Sequence, residues 1–283
     1  LSVGDNGGTL NIDAAGNLNI TGTISAYGQD PSNIDLTAND INIGGDIHNY
    51  SNIKNSGDIS IVAESGSVNI DGDITNTAGT GSGDIAGNIT IDDGSGNKVT
   101  GTITVDGTIN ANGDTDGDLT IKATGDIIIG HLDVDQAGIT TLESDGNVYI
   151  TGTLGGISLS GSTVTDLENV SSDVYYDASV AGNAYLSGQV YDIGASGFEL
   201  KPLVSHSVGD AMQTLDGGAG SNDPLAIQGD GASTILIEDA ATYNTRTTSS
   251  IAADHFLVSI NGTLAVDAVN FESVKLNLDT GDT

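Results

Sequence analysis

The sequence predicts an all-β protein built as a parallel β-helix, a solenoid of triangular section, which ends in a second β module or in further solenoid. One observation is a five-residue figure that occurs seven times, with aliphatic residues at its ends and glycine at its centre. Another is the return of apolar-x-apolar triplets at intervals of 18 to 30 residues. The third is composition, since 41 glycines accompany only three Phe and no Trp. A repeat that cannot bury its own apolar side, but can stack on a neighbour, is typical of a solenoid.

The five-residue figure is interpreted as a corner between two short strands. A central glycine with β-branched neighbours disfavours helix, and the residue after the glycine is Thr or Asp. Because glycine reaches positive φ without a Cβ clash, we expect it to turn the chain while both flanking aliphatic residues point inward. The copies are Ile20–Ile24, Ile43–Ile47, Ile70–Ile74, Val99–Ile103, Val105–Ile109, Ile150–Leu154 and Ile260–Leu264.

The apolar triplets mark the starts of the coils. Each start is followed seven to ten residues later by a second apolar position, which usually leads into a glycine corner and a third short strand. We expect the coil that starts at Ile59 to stack between those that start at Ile34 and Ile89, with Ile61, Ile70 and Ile74 pointing inward. The predicted starts are Leu10, Ile34, Ile59, Ile89, Leu119, Ile139 and Ile157.

The pattern divides the chain into three predicted parts: a β-helix of about seven coils over residues 1–165, a widened or irregular transition over 166–212, and a β module over 213–283. Polar inserts such as Tyr27 to Asn33 and His48 to Gly57 are predicted loops, where solenoids usually carry binding. Most of the aromatic residues lie in the transition or shortly before it, where they either cover the transition or form a sugar platform. They are Tyr149, Tyr175, Tyr176, Tyr185, Tyr191 and Phe198.

The charge of the chain excludes several partners. Six basic residues face 39 acidic ones, for a formal net charge of -33, so the surface repels nucleic acids and anionic lipids. No run approaches the roughly 18 apolar residues of a membrane span, so membrane insertion is not expected. The absence of cysteine excludes disulfides and thiolate metal sites. Bound divalent cations would relieve the self-repulsion, and calcium is the expected ion.

One acidic segment is the candidate calcium site. Its candidate ligands are Asn112, Asp114, Asp116 and Asp118. The segment has the first, third, fifth and sixth positions of an EF-hand loop, the sixth being Gly117, but the twelfth would be Ala123, which offers no carboxylate. An intact EF-hand is therefore excluded, and a looser site between adjacent coils is predicted. The segment Gly217–Asn222 resembles a calcium-binding glycine nonapeptide without a tandem copy, so a plain turn is expected there.

The runs Gly16–Ile24, Gly57–Ile61 and Gly66–Ile74 resemble the repeats of filamentous haemagglutinin-type exoproteins. This resemblance covers roughly residues 7 to 165 and implies a right-handed parallel β-helical shaft in a secreted bacterial adhesin, at the cell surface or outside the cell. The tail, with Thr234–Asp239 and Phe271–Leu278, looks like a module of very large secreted bacterial surface proteins.

Two classes of function remain open from the sequence. The first is a non-enzymatic structural or adhesive segment of an extracellular fibre, whose partners are further repeats or copies end to end and surface or matrix polysaccharide. Both ends of the chain read as strand without a cap, which supports that continuation. The second is a carbohydrate-active β-helix. We expect no enzyme and assign no catalytic residue, because the basic residues are scattered and paired acids carry no information among 39.

Overall fold

The structure is a computed structural model of the 283-residue chain. It describes residues 1–4, 8–29, 32–79, 81–134, 138–167, 169–178, 180–186, 188–194, 196–205, 213–216, 224–228, 234–247, 250–252, 254–271 and 273–277. Contacts divide the chain into two compact units, Leu1–Val174 with Asp192–Phe198, and Tyr175–Tyr191 with Glu199–Thr283. The three-part division at residues 165 and 212 stays a prediction.

Nearly all regular structure is strand. The strands up to residue 133 are β1 Ser2–Gly4, β2 Thr9–Asp13, β3 Leu18–Ile20, β4 Ile24–Gly28, β5 Asn33–Ala38, β6 Ile41–Ile43, β7 Ile47–Ser51, β8 Ile59–Ala63, β9 Val68–Ile70, β10 Ile74–Thr77, β11 Ile89–Asp92, β12 Ile103–Asn112, β13 Leu119–Ala123 and β14 Ile127–Asp133. The later strands are β15 Thr140–Ser144, β16 Val148–Ile150, β17 Leu154–Gly155, β18 Leu159–Ser160, β19 Thr163–Val164, β20 Asn169–Val170, β21 Val174–Asp177, β22 Tyr191–Ile193, β23 Phe198–Ser205, β24 Gln213–Asp216, β25 Pro224–Gln228, β26 Ile235–Asp239, β27 His255–Ile260, β28 Thr263–Val269 and β29 Ser273–Asn277. A 3-10 helix covers Ala181–Leu186, and helix α1 covers Ala240–Thr247.

The first unit is a parallel β-solenoid of about seven turns with three strands per turn, as predicted. The first column of strands is a seven-stranded parallel sheet in the order β2-β5-β8-β11-β13-β15-β20. A second column holds β3, β6, β9, the first halves of β12 and β14, and β16. The third holds β1, β4, β7, β10, the second halves of β12 and β14, and β17.

The core of the solenoid is a set of aliphatic stacks. The predicted register is confirmed, because Ile59 pairs with Ile34 on one side and with Ile89 on the other. The inward residues Ile61, Ile70 and Ile74 are fully buried, also as predicted. Most of the outward residues on these strands are polar, such as Asp35, Thr37 and Ser60, so each strand puts one face in and one out. Each buried isoleucine contributes about 1.5–3 kcal/mol relative to an exposed one.

Six of the seven predicted coil starts lie at or beside the start of a first-column strand. The start predicted at Ile157 is wrong: Leu159 is exposed and pairs antiparallel with Val164 in a small hairpin. The seventh strand of the column is instead β20, where Asn169 pairs with Thr141. The apolar-x-apolar pattern alone therefore does not distinguish the start of a coil from a strand of a hairpin.

The glycine of the five-residue figure acts differently from the prediction. Among its seven glycines only Gly262 has positive φ, 81°, and its copy is a hairpin turn between β27 and β28 and not a solenoid corner. In the solenoid copies after the first, glycine is required because the space for a side chain is missing. A Cβ atom on Gly72 would lie 2.3 Å from Oδ1 of Asp46 and 2.7 Å from the backbone of Gly45, both in the preceding turn. The corners are thus stacked too closely for a side chain.

The second unit combines two kinds of strand pairing. Strands β23, β25 and β29 are parallel, whereas β26, β27 and β28 form an antiparallel meander that β24 joins in parallel. Its core is mainly aliphatic and includes the edge-to-face pair Phe256 and Phe271. Helix α1, which follows β26, has no counterpart in the predicted pattern. Neither helix in the described ranges has the length and hydrophobicity of a membrane span.

Candidate functional site

Polar side chains form ladders at the corners of the solenoid. At the corner before the first column, each side-chain oxygen accepts a hydrogen bond from the backbone N–H at the equivalent position one turn later. The donors and acceptors are Asp58 N–H to Asn33 Oδ1 at 3.0 Å, Asn88 N–H to Asp58 Oδ1 at 2.8 Å, Asp118 N–H to Asn88 Oδ1 at 2.9 Å, and Ile139 N–H to Asp118 Oδ1 at 2.9 Å. Amide and carboxylate alternate, so each ionised group has a neutral neighbour within this ladder.

The Thr or Asp of the five-residue figure belongs to such a ladder. Oδ1 of Asp46 accepts the N–H of Asp73 at 3.0 Å, and Oδ1 of Asp73 accepts the N–H of Thr108 at 2.7 Å. His131 occupies the equivalent position two turns after Asp73, and its Nδ1 accepts the N–H of Thr153 at 2.8 Å. These side chains satisfy backbone donors that the strand ladder leaves unpaired where the chain turns.

A second polar pair lies inside the solenoid. Asn49 and Asn76 are in register on β7 and β10 and are fully buried. Both side-chain amides donate to the carbonyl oxygen of Gly57, at 2.8 Å in each case, and Asn49 also donates to the carbonyl of Ser32 at 2.6 Å. Oδ1 of Asn76 is buried without a partner. The pair thus holds the loop before β8 from within.

The predicted calcium ligands are distributed over different backbone contacts. Oδ2 of Asp114 accepts the N–H of Gly83 at 2.7 Å, and Oδ1 of Asp116 accepts the N–H of Gly113 at 3.0 Å. Asp118 belongs to the corner ladder, and Asn112 ends β12 with its backbone oxygen accepting from Ala78. No three His, Asp or Glu side chains within the described ranges are grouped as a metal site would require. Calcium binding stays a prediction.

The histidine and basic residues are dispersed. His48 lies 3.4 Å from Asp46, and His255 contacts Asp267 at 2.5 Å in the second unit. His206 and the segment Gly217–Asn222 lie outside the described residues. Four ion pairs join basic residues to nearby acids in the described ranges: Lys98 with Asp145, Lys122 with Glu143, Lys201 with Glu199, and Arg246 with Glu238.

The predicted tyrosine cluster is mostly core. Tyr149, Tyr175, Tyr176 and Tyr191 are buried, so the alternative of a sugar platform at these residues is wrong. The hydroxyl of Tyr176 donates to the carbonyl of Gln189 at 2.9 Å, and burial raises the pKa of this phenol far above its usual range. Only Tyr185 of this group is exposed.

The exposed aromatic residues of the solenoid lie elsewhere, on the third column. Tyr27 on β4 and Tyr50 on β7 are direct partners in the parallel register, and both point outward. Their exposed fractions are 51% and 47%. The sequence placed both in loops, whereas the strands extend through them. The signal that would have found them is their equal distance, five residues, from the corner glycines Gly22 and Gly45.

These features define the class of the protein: an all-β chain whose first unit is a parallel β-solenoid. Comparison with protein-family models, with curated proteins and with solved structures gives no match. The resemblance to haemagglutinin-type repeats is thus supported at the level of the β-solenoid, through the strand register alone.

Proposed function

We propose that the chain is a structural and adhesive segment of an extracellular bacterial fibre or large surface protein, without enzymatic activity. The observation that carries the proposal is the uninterrupted first column of seven parallel strands, held by side-chain ladders at its corners. Length and stiffness are what such a stack supplies. Its corner carboxylates accept backbone N–H groups, which makes them part of the framework.

The proposal includes continuation of the solenoid along its axis. Among the strands that the structure describes, β2 and β20 lie at the two ends of the first-column sheet. An edge strand of a parallel sheet presents N–H and C=O groups to which another strand can add. A further turn from a longer chain, or a second copy of this chain, would satisfy them. Addition of unlike surfaces propagates into a filament unless the rotation closes a ring.

Electron microscopy and diffraction of the purified chain test this function. We expect filaments or elongated particles, and a reflection near 4.7–4.8 Å along the axis of oriented samples, because stacked strands have that spacing. A compact, strictly monomeric protein in size-exclusion and scattering experiments would contradict the proposal. Release of reducing ends from polysaccharides would contradict it independently and favour the carbohydrate-active alternative.

A further inference from the structure

The third column carries a pair of tyrosines that the core does not explain. Exposed residues on the outer face of the other strands are mostly small or polar, yet Tyr27 and Tyr50 present about half of their surface to solvent. Paired residues on adjacent strands are about 4.7–4.9 Å apart along the sheet. The two tyrosines therefore occupy neighbouring positions on a surface of regular strands.

The backbone beneath these rings is fixed on both sides. Strand β4 pairs with β1 and β7, and β7 pairs with β4 and β10. The residues before the tyrosines, Ala26 and Asn49, are buried, and the Asn49 side chain is hydrogen-bonded inside the solenoid. A ligand that contacts the rings would thus pay little to order the chain, which favours binding by a preformed surface.

Hydrogen-bonding side chains accompany the rings. Two residues before the tyrosines, in the same outward direction, Ser25, His48 and Thr75 form a second row in register across three strands. Thr77 continues the tyrosine row on β10. An apolar ring surface beside a row of hydroxyl and imidazole groups matches a molecule with one C–H face and hydroxyl groups at its edge. A pyranose ring has that character.

The negative charge of the chain favours an uncharged glycan as the ligand of this surface, over an anionic glycan or a second copy of the chain. The chain carries a net charge of -33, and Asp46 and Asp73 lie at the start of β7 and β10, just before this surface. A uronate- or sulfate-bearing polymer would be repelled, as would the same face of another copy. An uncharged polymer avoids this repulsion.

We propose that Tyr27 and Tyr50 form a binding surface for neutral polysaccharide, on which sugar rings stack against the two phenol rings. The surface adds a ligand to the proposed adhesive function but does not depend on it, because a single solenoid unit presents both rings. Binding and filament formation can therefore fail separately in experiments.

Native affinity electrophoresis of the purified chain tests the proposal, with dextran, a soluble β-glucan or galactomannan in the gel and alginate as the anionic comparison. We expect retardation by at least one neutral polymer and none by alginate. Each single change, Tyr27→Ala or Tyr50→Ala, should weaken binding about tenfold, as central aromatic contacts do. Tyr185→Ala removes a comparably exposed tyrosine that belongs to the second unit and not to this row, and it should leave the retardation unchanged.

Because the chain has no Trp, Tyr27→Trp provides a second measurement that keeps an aromatic ring in place. Its fluorescence should shift on addition of the polymer that retards the unmodified chain, and that of Tyr185→Trp should not. The proposal is overturned if no neutral polymer retards the chain, if alginate alone does, or if both alanine variants are retarded like the unmodified protein. An unchanged spectrum of Tyr27→Trp at saturating polymer would also overturn it.

Discussion

Oδ1 of Asp73 accepts the backbone N–H of Thr108 at 2.7 Å, from one turn of the solenoid to the next. The same carboxylate oxygen lies where a side chain on Gly107 would have to go, since a Cβ atom there would be only 2.4 Å away. Glycine and the neighbouring polar residue of the figure are therefore two parts of one contact. The glycine permits the close approach, and the polar side chain uses it to bind the next backbone.

This contact predicts a large difference between two equivalent glycines. Gly72→Ala places a Cβ atom 2.3 Å from Asp46 Oδ1, whereas Gly22→Ala, at the same position of the figure in the first turn, meets no atom within 4 Å. Overpacking of this kind destabilises by about 1–3 kcal/mol. Urea unfolding should show that loss for Gly72→Ala and little change for Gly22→Ala. Equal stability of the two variants would show that corner spacing is not what selects glycine.

Replacing the two buried asparagines, Asn49 and Asn76, should reduce stability by different amounts. Asn49→Ala removes two donated hydrogen bonds and leaves the carbonyl oxygens of Ser32 and Gly57 with fewer partners, which should reduce stability by about 1–3 kcal/mol. Asn76→Ala also removes a buried oxygen that has no hydrogen-bond partner, so this variant should lose less stability than Asn49→Ala. Alanine fits the position, because Ala26 and Ala111 flank the pair in the same column. Thermal unfolding of both variants measures the difference, and a greater loss in Asn76→Ala would refute it.

Asp35 and Asp93 should respond oppositely to pH. Burial, with a smaller contribution from the charge of Asp58, raises the pKa of Asp35 in the folded chain. The folded state then binds more protons, so stability falls as pH rises from the pKa of Asp35 in the unfolded chain through its pKa in the folded chain. Asp35→Asn should therefore stabilise the protein at neutral pH, and the gain should vanish in strong acid.

The matched variant is Asp93→Asn. Backbone N–H groups of Ser95 and Asn97 donate to Asp93 Oδ1 at 2.8 and 2.9 Å and lower its pKa. The stabilisation is present above the unfolded pKa and is lost as pH falls through the folded one. Asp93→Asn should lower stability at neutral pH and converge with the parent chain in acid. Denaturant unfolding from pH 2 to 7 tests both signs.

Calcium should raise the melting temperature. The net charge of -33 opposes compaction, and an ion that binds only the folded chain stabilises it by mass action. Calorimetry in millimolar calcium and in excess chelator, at matched ionic strength, measures the effect. Substitution of Asp114, Asp116 and Asp118 by Asn would reveal whether the acidic segment is the site. Identical melting with and without calcium would contradict the prediction.

The solenoid could be predicted because its local and long-range patterns agree. Ile59, Ile61, Ile70 and Ile74 alternate with polar residues at strand spacing, and the corner figure fixes where each strand ends. The copy at Ile260–Leu264 was wrongly predicted to be a corner, because its sequence matches the five-residue figure. Asn261 and Gly262 both adopt positive φ, as the two central residues of a two-residue hairpin turn prefer.

The candidate site was missed for a related reason. Polar residues around Tyr27 and Tyr50 indicated loops, but outward residues of a strand in a thin solenoid are polar as well. Composition could not separate the two, whereas the distance to the corner glycine could. The contacts of Asp114 and Asp118 depend on which turns are stacked on each other, and spacing within one loop does not contain that information.

The alternation of Asn33, Asp58, Asn88 and Asp118 gives the first corner a period of two turns. Loss of the single turn that holds Asn88 would bring Asp58 directly against Asp118, so that two carboxylates share one strand spacing. Loss of two successive turns would preserve the order. Duplications and deletions within this part of the gene should accordingly be tolerated when they add or remove two turns, so the solenoid should change its length by two turns at a time.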